Sequence, residues 1–138
     1  MKNTEKVTVT RLDGLRVEAQ ARTHTITFDG PKTAEGGNTA PLPGETLLAC
    51  LGACQQMVAT SLAKKMNIDL KGIHSEIEGD TQPEGPPAFT EIRFHMYFDS
   101  DADQKTLDRL ADLVEKNCPI EQTLLNGVKV VRTGASKK

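Results

Sequence analysis

Three cysteines, Cys50, Cys54 and Cys118, are the residues of this chain best suited to do chemistry. Cys54 lies in Pro41–Met66 (PLPGETLLACLGACQQMVATSLAKKM), one helical turn after Leu51 and one before Val58. Cys118 closes a second apolar stripe immediately before Pro119. If the two helices pack together, the two thiols can meet. A thiolate that attacks an oxidant becomes a sulfenic acid, and a nearby second thiol captures it as a disulfide. The bland alternative is that free cysteines serve as small buried hydrophobes. Cys50 stands one turn before Cys54 and faces the same way; it reads as core packing. A Cys-x3-Cys pair without a second paired ligand set is a weak zinc signal, so no metal is expected.

The other candidate groups are sparse. Glu45 falls near the third position of the helix that Pro43 opens, where a glutamate reaches back to cap the first turn. That explanation competes with a catalytic one. His24, His74 and His95 sit in strand-like segments far in sequence from any cysteine. Gly36–Gly37 is too short a glycine run for a phosphate loop, and no serine nucleophile elbow occurs, so no cofactor is expected.

These residues need a scaffold, and its elements follow from pattern. Leu47, Leu51, Val58 and Leu62 are spaced for one long, largely buried helix. Ahead of it, Lys6–Arg11, Leu15–Ala21 and Thr23–Phe28 alternate as strands, with the hairpin signal Asp13–Gly14 between the first two. The polar stretch Lys32–Ala40 is a loop, and Asn67 suits a left-handed cap after the helix. Ile68–Glu78 and Thr90–Phe98 alternate again, on either side of the turn Gln82–Pro87. Ser100 with Asp103 predicts a capping box for a second helix carrying Leu107, Leu110 and Val114. Glu121–Leu125 adds a turn, and Gly127–Arg132 predicts a last strand. The order βββ-α-ββ-α-β is α+β, two helices against antiparallel-rich sheets, in a single domain over 1–138.

Composition narrows the function classes. With 17 basic and 19 acidic residues the net charge is −2, which offers no bulk attraction to nucleic acid. No run of about 18 apolar residues is evident, so no membrane span is expected. The polar start Met1–Lys6 lacks a secretory apolar region, and three cysteines without a signal peptide predict reduced thiols in the cytoplasm. Only 4% of residues are aromatic, and so apolar a helix in so small a chain calls for a second copy to cover it.

The segment Asp29-x-Pro31, Gly36-Gly37-Asn38, Pro43-x-Glu45-x-Leu47-Leu48-Ala49-x-Leu51-Gly52-Ala53-Cys54 resembles the signature of the OsmC/Ohr family of thiol peroxidases. Asn117-Cys118-Pro119-Ile120 is similar to that family's second cysteine motif. The resemblance implies an intertwined homodimer with the long helices at its centre. It implies reduction of organic hydroperoxides by Cys54 as the peroxidatic and Cys118 as the resolving cysteine, with a dithiol reductant. The family's arginine and glutamate have no plain counterparts. The glutamate aligns with Gly44, beside Glu45, and no arginine occurs between Arg22 and Arg93. Arg16, Arg22 or Lys32 would have to supply the cation, which resembles the general OsmC-like branch. The rival expectation is a non-catalytic binder of apolar small molecules or lipids in the dimer cleft.

Overall fold

The computed structural model describes residues 2–138. Eight regular elements follow one another as β1 (Thr8–Asp13), β2 (Arg16–Ala21), β3 (His24–Phe28), α1 (Pro43–Lys65), β4 (Gly72–Thr81), β5 (Phe89–Asp99), α2 (Gln104–Asn117) and α3 (Pro119–Asn126). The fold is α+β, as the pattern predicts. The chain divides within α1 into two compact units, one up to Leu47 and one from Leu48.

In the N-terminal unit β2 is the central strand of an antiparallel sheet ordered β1-β2-β3. Gly14, at φ +48°, makes the tight turn between β1 and β2 that the Asp13–Gly14 pair predicts. The segment after β3 is organised by Asp29, which is buried. Its carboxylate accepts hydrogen bonds from the backbone N–H groups of Gly30, Gly37 and Thr39 and from the Thr39 hydroxyl, at 2.6–3.3 Å. These donors hold the Asp29 carboxyl at about 2, below its ordinary 3.8. Gly36 is required here, because a Cβ at that position would meet the Gly30 carbonyl oxygen. The Gly36–Gly37 pair is therefore a structural loop.

The unit from Leu48 has its core where α1 and α2 meet. Ala59 and Ala63 on α1 face Leu110 and Val114 on α2, all buried. The inward residues of β4 and β5, among them Ile73, Met96 and Phe98, pack against this cluster. Strands β4 and β5 pair antiparallel over their length, and their polar face carries His74, Glu76, His95 and Tyr97. Asn67, at φ +57°, terminates α1 as a left-handed cap, with the Ile68 N–H donating to the Ala63 carbonyl.

Several expectations need correction. Gly127–Arg132 forms no strand, and Val128, Val130 and Val131 are exposed. Alternation alone does not make a strand; a partner ladder does, and among the described residues no strand pairs with that segment. Asp103, not Ser100, caps α2, its carboxylate accepting from the Thr106 N–H, while Ser100 accepts from the Ala102 N–H. The buried line of α1 is Leu51, Gln55, Ala59 and Ala63, so the helix is less covered than its apolarity suggests. Val58 and Leu62 are only half-buried, Leu47 is exposed, and Cys50, expected as core packing, is exposed too. By length and composition α1 would also suffice to cross a membrane, a test that core helices of soluble proteins pass equally.

Candidate functional site

Cys54 projects from the half-covered side of α1, next to the buried line that begins at Leu51. Cys118 is fully buried and occupies the junction between two helices. It ends α2 and caps the start of α3, where its Sγ accepts the Glu121 N–H at 3.4 Å. Pro119 explains the break: it cannot extend α2, yet it suits the first position of α3.

Packing of α1 against α2, and the Gln55–Glu121 bond from α1 to α3, bring the two thiols near each other. Burial pushes the Cys118 thiol up above the ordinary thiol range; the Glu121 N–H pulls it down, and the adjacent Cys54 thiol raises it again. Cys118 is thus a buried thiol whose thiolate is disfavoured, beside the more accessible Cys54. A pair so graded in exposure suits a sequence in which the outer thiol meets an oxidant first.

The remaining sequence candidates are placed as follows. Glu45 accepts the Leu42 N–H at 2.8 Å, half of a capping box in which Leu42 takes the place of the usual serine or threonine. Arg16 pairs with Asp13 at 2.9 Å on the exposed β1–β2 hairpin. Arg22 holds the left-handed turn between β2 and β3, and Lys32 begins a single 3-10 turn. These three cations all belong to the N-terminal unit. His74 and His95 flank Tyr97 on the exposed face of β4 and β5, with ring centroids 5.8 and 4.4 Å from it. Among the described residues no group of three histidine, cysteine or acidic side chains is placed to hold a metal.

Two residues at the site escape a reading of sequence alone. Gln55, directly after Cys54, is fully buried, and its amide Nε2 donates to the carboxylate of Glu121 at 2.8 Å. Glu121 is itself buried and stands three residues after Cys118. The one signal for Gln55 is its position four residues from both Leu51 and Ala59, on the line that faces inward.

The pattern of the family described as OsmC-like protein matches residues 36–132. The chain belongs to the OsmC-like family. An OsmC-like chain of this kind shares 27% identity over 112 residues with Protein YhfA of Escherichia coli K12, covering 80% of this chain and 81% of that protein. Among solved structures, the OsmC-like protein of Mycoplasma pneumoniae superposes with a TM-score of 0.83 at 23% identity, covering 92% and 91% of the two chains. An organic hydroperoxide resistance protein OsmC from Legionella pneumophila gives a TM-score of 0.70 at 17% identity, over 89% and 91%. The OsmC-like fold therefore extends across nearly the whole chain, at identities that speak for fold.

Proposed function

We propose that this protein is a thiol-dependent peroxidase that reduces organic hydroperoxides in the cytoplasm. The Cys54 thiolate attacks the distal oxygen of the hydroperoxide. The O–O bond breaks, the alkoxide takes up from solvent the proton that the Cys54 thiol released and leaves as the alcohol, and Cys54 becomes a sulfenic acid. Cys118 then attacks the Cys54 sulfur, the S–O bond breaks, and the leaving hydroxide takes the Cys118 proton to form water. A dithiol reductant opens the Cys54–Cys118 disulfide and restores both thiols.

The observation that carries this reading is the proximity of a half-buried Cys54 to a fully buried Cys118. Membership of the OsmC-like family and the hydroperoxide-resistance name of a structural relative support it. Glu45 and one of Arg16, Arg22 or Lys32 are proposed to serve the thiolate and the peroxide. The working form is proposed to be a homodimer. In favour of this, α1 presents Cys50, Ala53 and Met57 as exposed side chains, the last 74% exposed. Sedimentation at micromolar concentration should give twice the chain mass, and a stable monomer would remove the dimer.

The test of activity is consumption of tert-butyl hydroperoxide in the presence of dithiothreitol, wild type against Cys54→Ser. The variant should be inert; equal turnover would end the peroxidase reading. A second reading, binding of apolar small molecules, is favoured by an open groove of about 420 Å³ in the N-terminal unit. Val9, Val17, Phe28 and Leu42 line it. A Cys54 that reacts no faster than a free thiol at neutral pH would favour the binder.

A further inference from the structure

The geometry points to the buried Gln55–Glu121 hydrogen bond as the strut that sets the approach of Cys118 to Cys54, making both residues positioning residues for disulfide closure. This rests on the peroxidase reading above and adds to it the part of the site that governs its second step.

The bond joins α1 to α3 at 2.8 Å across 66 residues of chain. Its two ends stand next to the reacting sulfurs. Gln55 directly follows Cys54, and Glu121 is the residue whose N–H reaches the Cys118 Sγ. Among the described side chains it is the one hydrogen bond between α1 and α3, and both partners are buried, so water does not compete for it. A rotation of α3 about its own axis would move the Cys118 sulfur, which sits at the first turn, together with Glu121. The strut fixes that rotation.

The pair is poorly served for a purely stabilising contact. A buried carboxylate is met here by a neutral amide rather than by a cation, and the Gln55 Oε1 is buried with no donor. Both are costly choices that two apolar side chains would avoid. What a directional polar bond supplies, and an apolar contact does not, is a fixed angle between the helices. Closure depends on that angle, because the Cys118 sulfur must approach the Cys54 sulfur in line with the S–O bond that breaks.

The experiment uses the full chain in single turnover with tert-butyl hydroperoxide, following two rates separately. Sulfenic acid at Cys54 is trapped with dimedone, and disulfide closure is read by loss of free thiol at Cys118. In Glu121→Ala, formation of the sulfenic acid should be unchanged while closure slows about tenfold or more, as misplacement of reacting atoms on the ångström scale demands. Glu121→Gln should restore closure to within about threefold of wild type, because its amide bonds to Gln55 and can also serve the orphan Oε1. A Glu121→Gln variant as slow as Glu121→Ala would overturn the positioning role, since it would mean the carboxylate's charge is what matters. Should Glu121→Ala not fold, the paired variant Gln55→Met with Glu121→Met replaces both polar partners at similar volume and must still close slowly. Closure at the wild-type rate in that folded pair overturns the inference and leaves the peroxidase reading intact. Diamide, which couples neighbouring thiols without a peroxide, separates the two claims. If wild type ignores the hydroperoxide yet closes with diamide faster than Glu121→Ala does, the peroxidase reading falls and the strut stands.

Discussion

Leu110→Ala should be among the most damaging single substitutions in the unit that carries the cysteines. Leu110 has no exposed surface, so the full transfer term of its side chain is at stake. Its neighbours across the helix pair are Ala59 and Ala63, whose short side chains cannot extend into the space left behind. Val114 on its own helix is stiff at χ1. The half-buried Met66, Met96 and Phe98 that border the cluster permit only partial collapse, which places the loss at about 3–4 kcal/mol, the middle of the range for leucine-to-alanine cavities. For 138 residues, an unfolding entropy of about 2.1 cal/mol/K per residue gives about 0.29 kcal/mol/K, so the melting temperature should fall by about 10–14 °C. The assay is thermal unfolding followed by circular dichroism at one fixed protein concentration, because a self-associating chain melts higher when concentrated. A fall of less than about 3 °C would refute the reasoning, since that would mean about 1 kcal/mol and a site able to collapse. The same variant should slow disulfide closure, because α2 runs directly into Cys118.

Two further outcomes are expected from the same geometry. In Cys118→Ser the sulfenic acid at Cys54 should form at the wild-type rate and persist, trapped by dimedone; rapid loss of the adduct-forming species would mean another group resolves it. Asp29→Asn should lower the melting temperature at neutral pH, because the amide turns an N–H donor toward N–H groups that now meet a carboxylate. Asp29 titrates at about 2 in the folded chain against an ordinary 3.8, so its contribution is complete above about pH 4 and is lost as pH falls toward 2. The gap between wild type and Asp29→Asn should accordingly narrow over that window, and a gap independent of pH would contradict the assignment.

What the sequence discloses here divides along the range of the forces involved. The start of α1 is legible because capping is local: Pro43 and Glu45 act within four residues, and Glu45 does reach the Leu42 N–H. The faces of β4 and β5 are legible because their alternation has a period of two and one side must be covered. The inward line of α1 is not legible in the same way. Gln55 is polar and would be assigned outward, but its carboxylate partner lies 66 residues later and only packing of α3 supplies it. Asp103 rather than Ser100 caps α2 because both are good caps, and the choice depends on which backbone turn is helical. The valines after Gly127 alternate as a strand would, but among the described residues no strand pairs with them. For the site itself, cysteine spacing marks Cys54 and Cys118 as capable of meeting; the difference in their burial, which separates their roles, belongs to tertiary packing.

The most direct test of the account is peptide mapping of the reduced full chain after one equivalent of an organic hydroperoxide, digested without reductant. One dominant cross-linked species is expected, the Cys54 and Cys118 peptides joined within a single chain, with Cys50 still a free thiol. Bridging requires Cα atoms about 4.4–6.8 Å apart in the oxidised chain. Recovery of Cys54 and Cys118 as unmodified thiols, or of a Cys50–Cys54 link in their place, would contradict it.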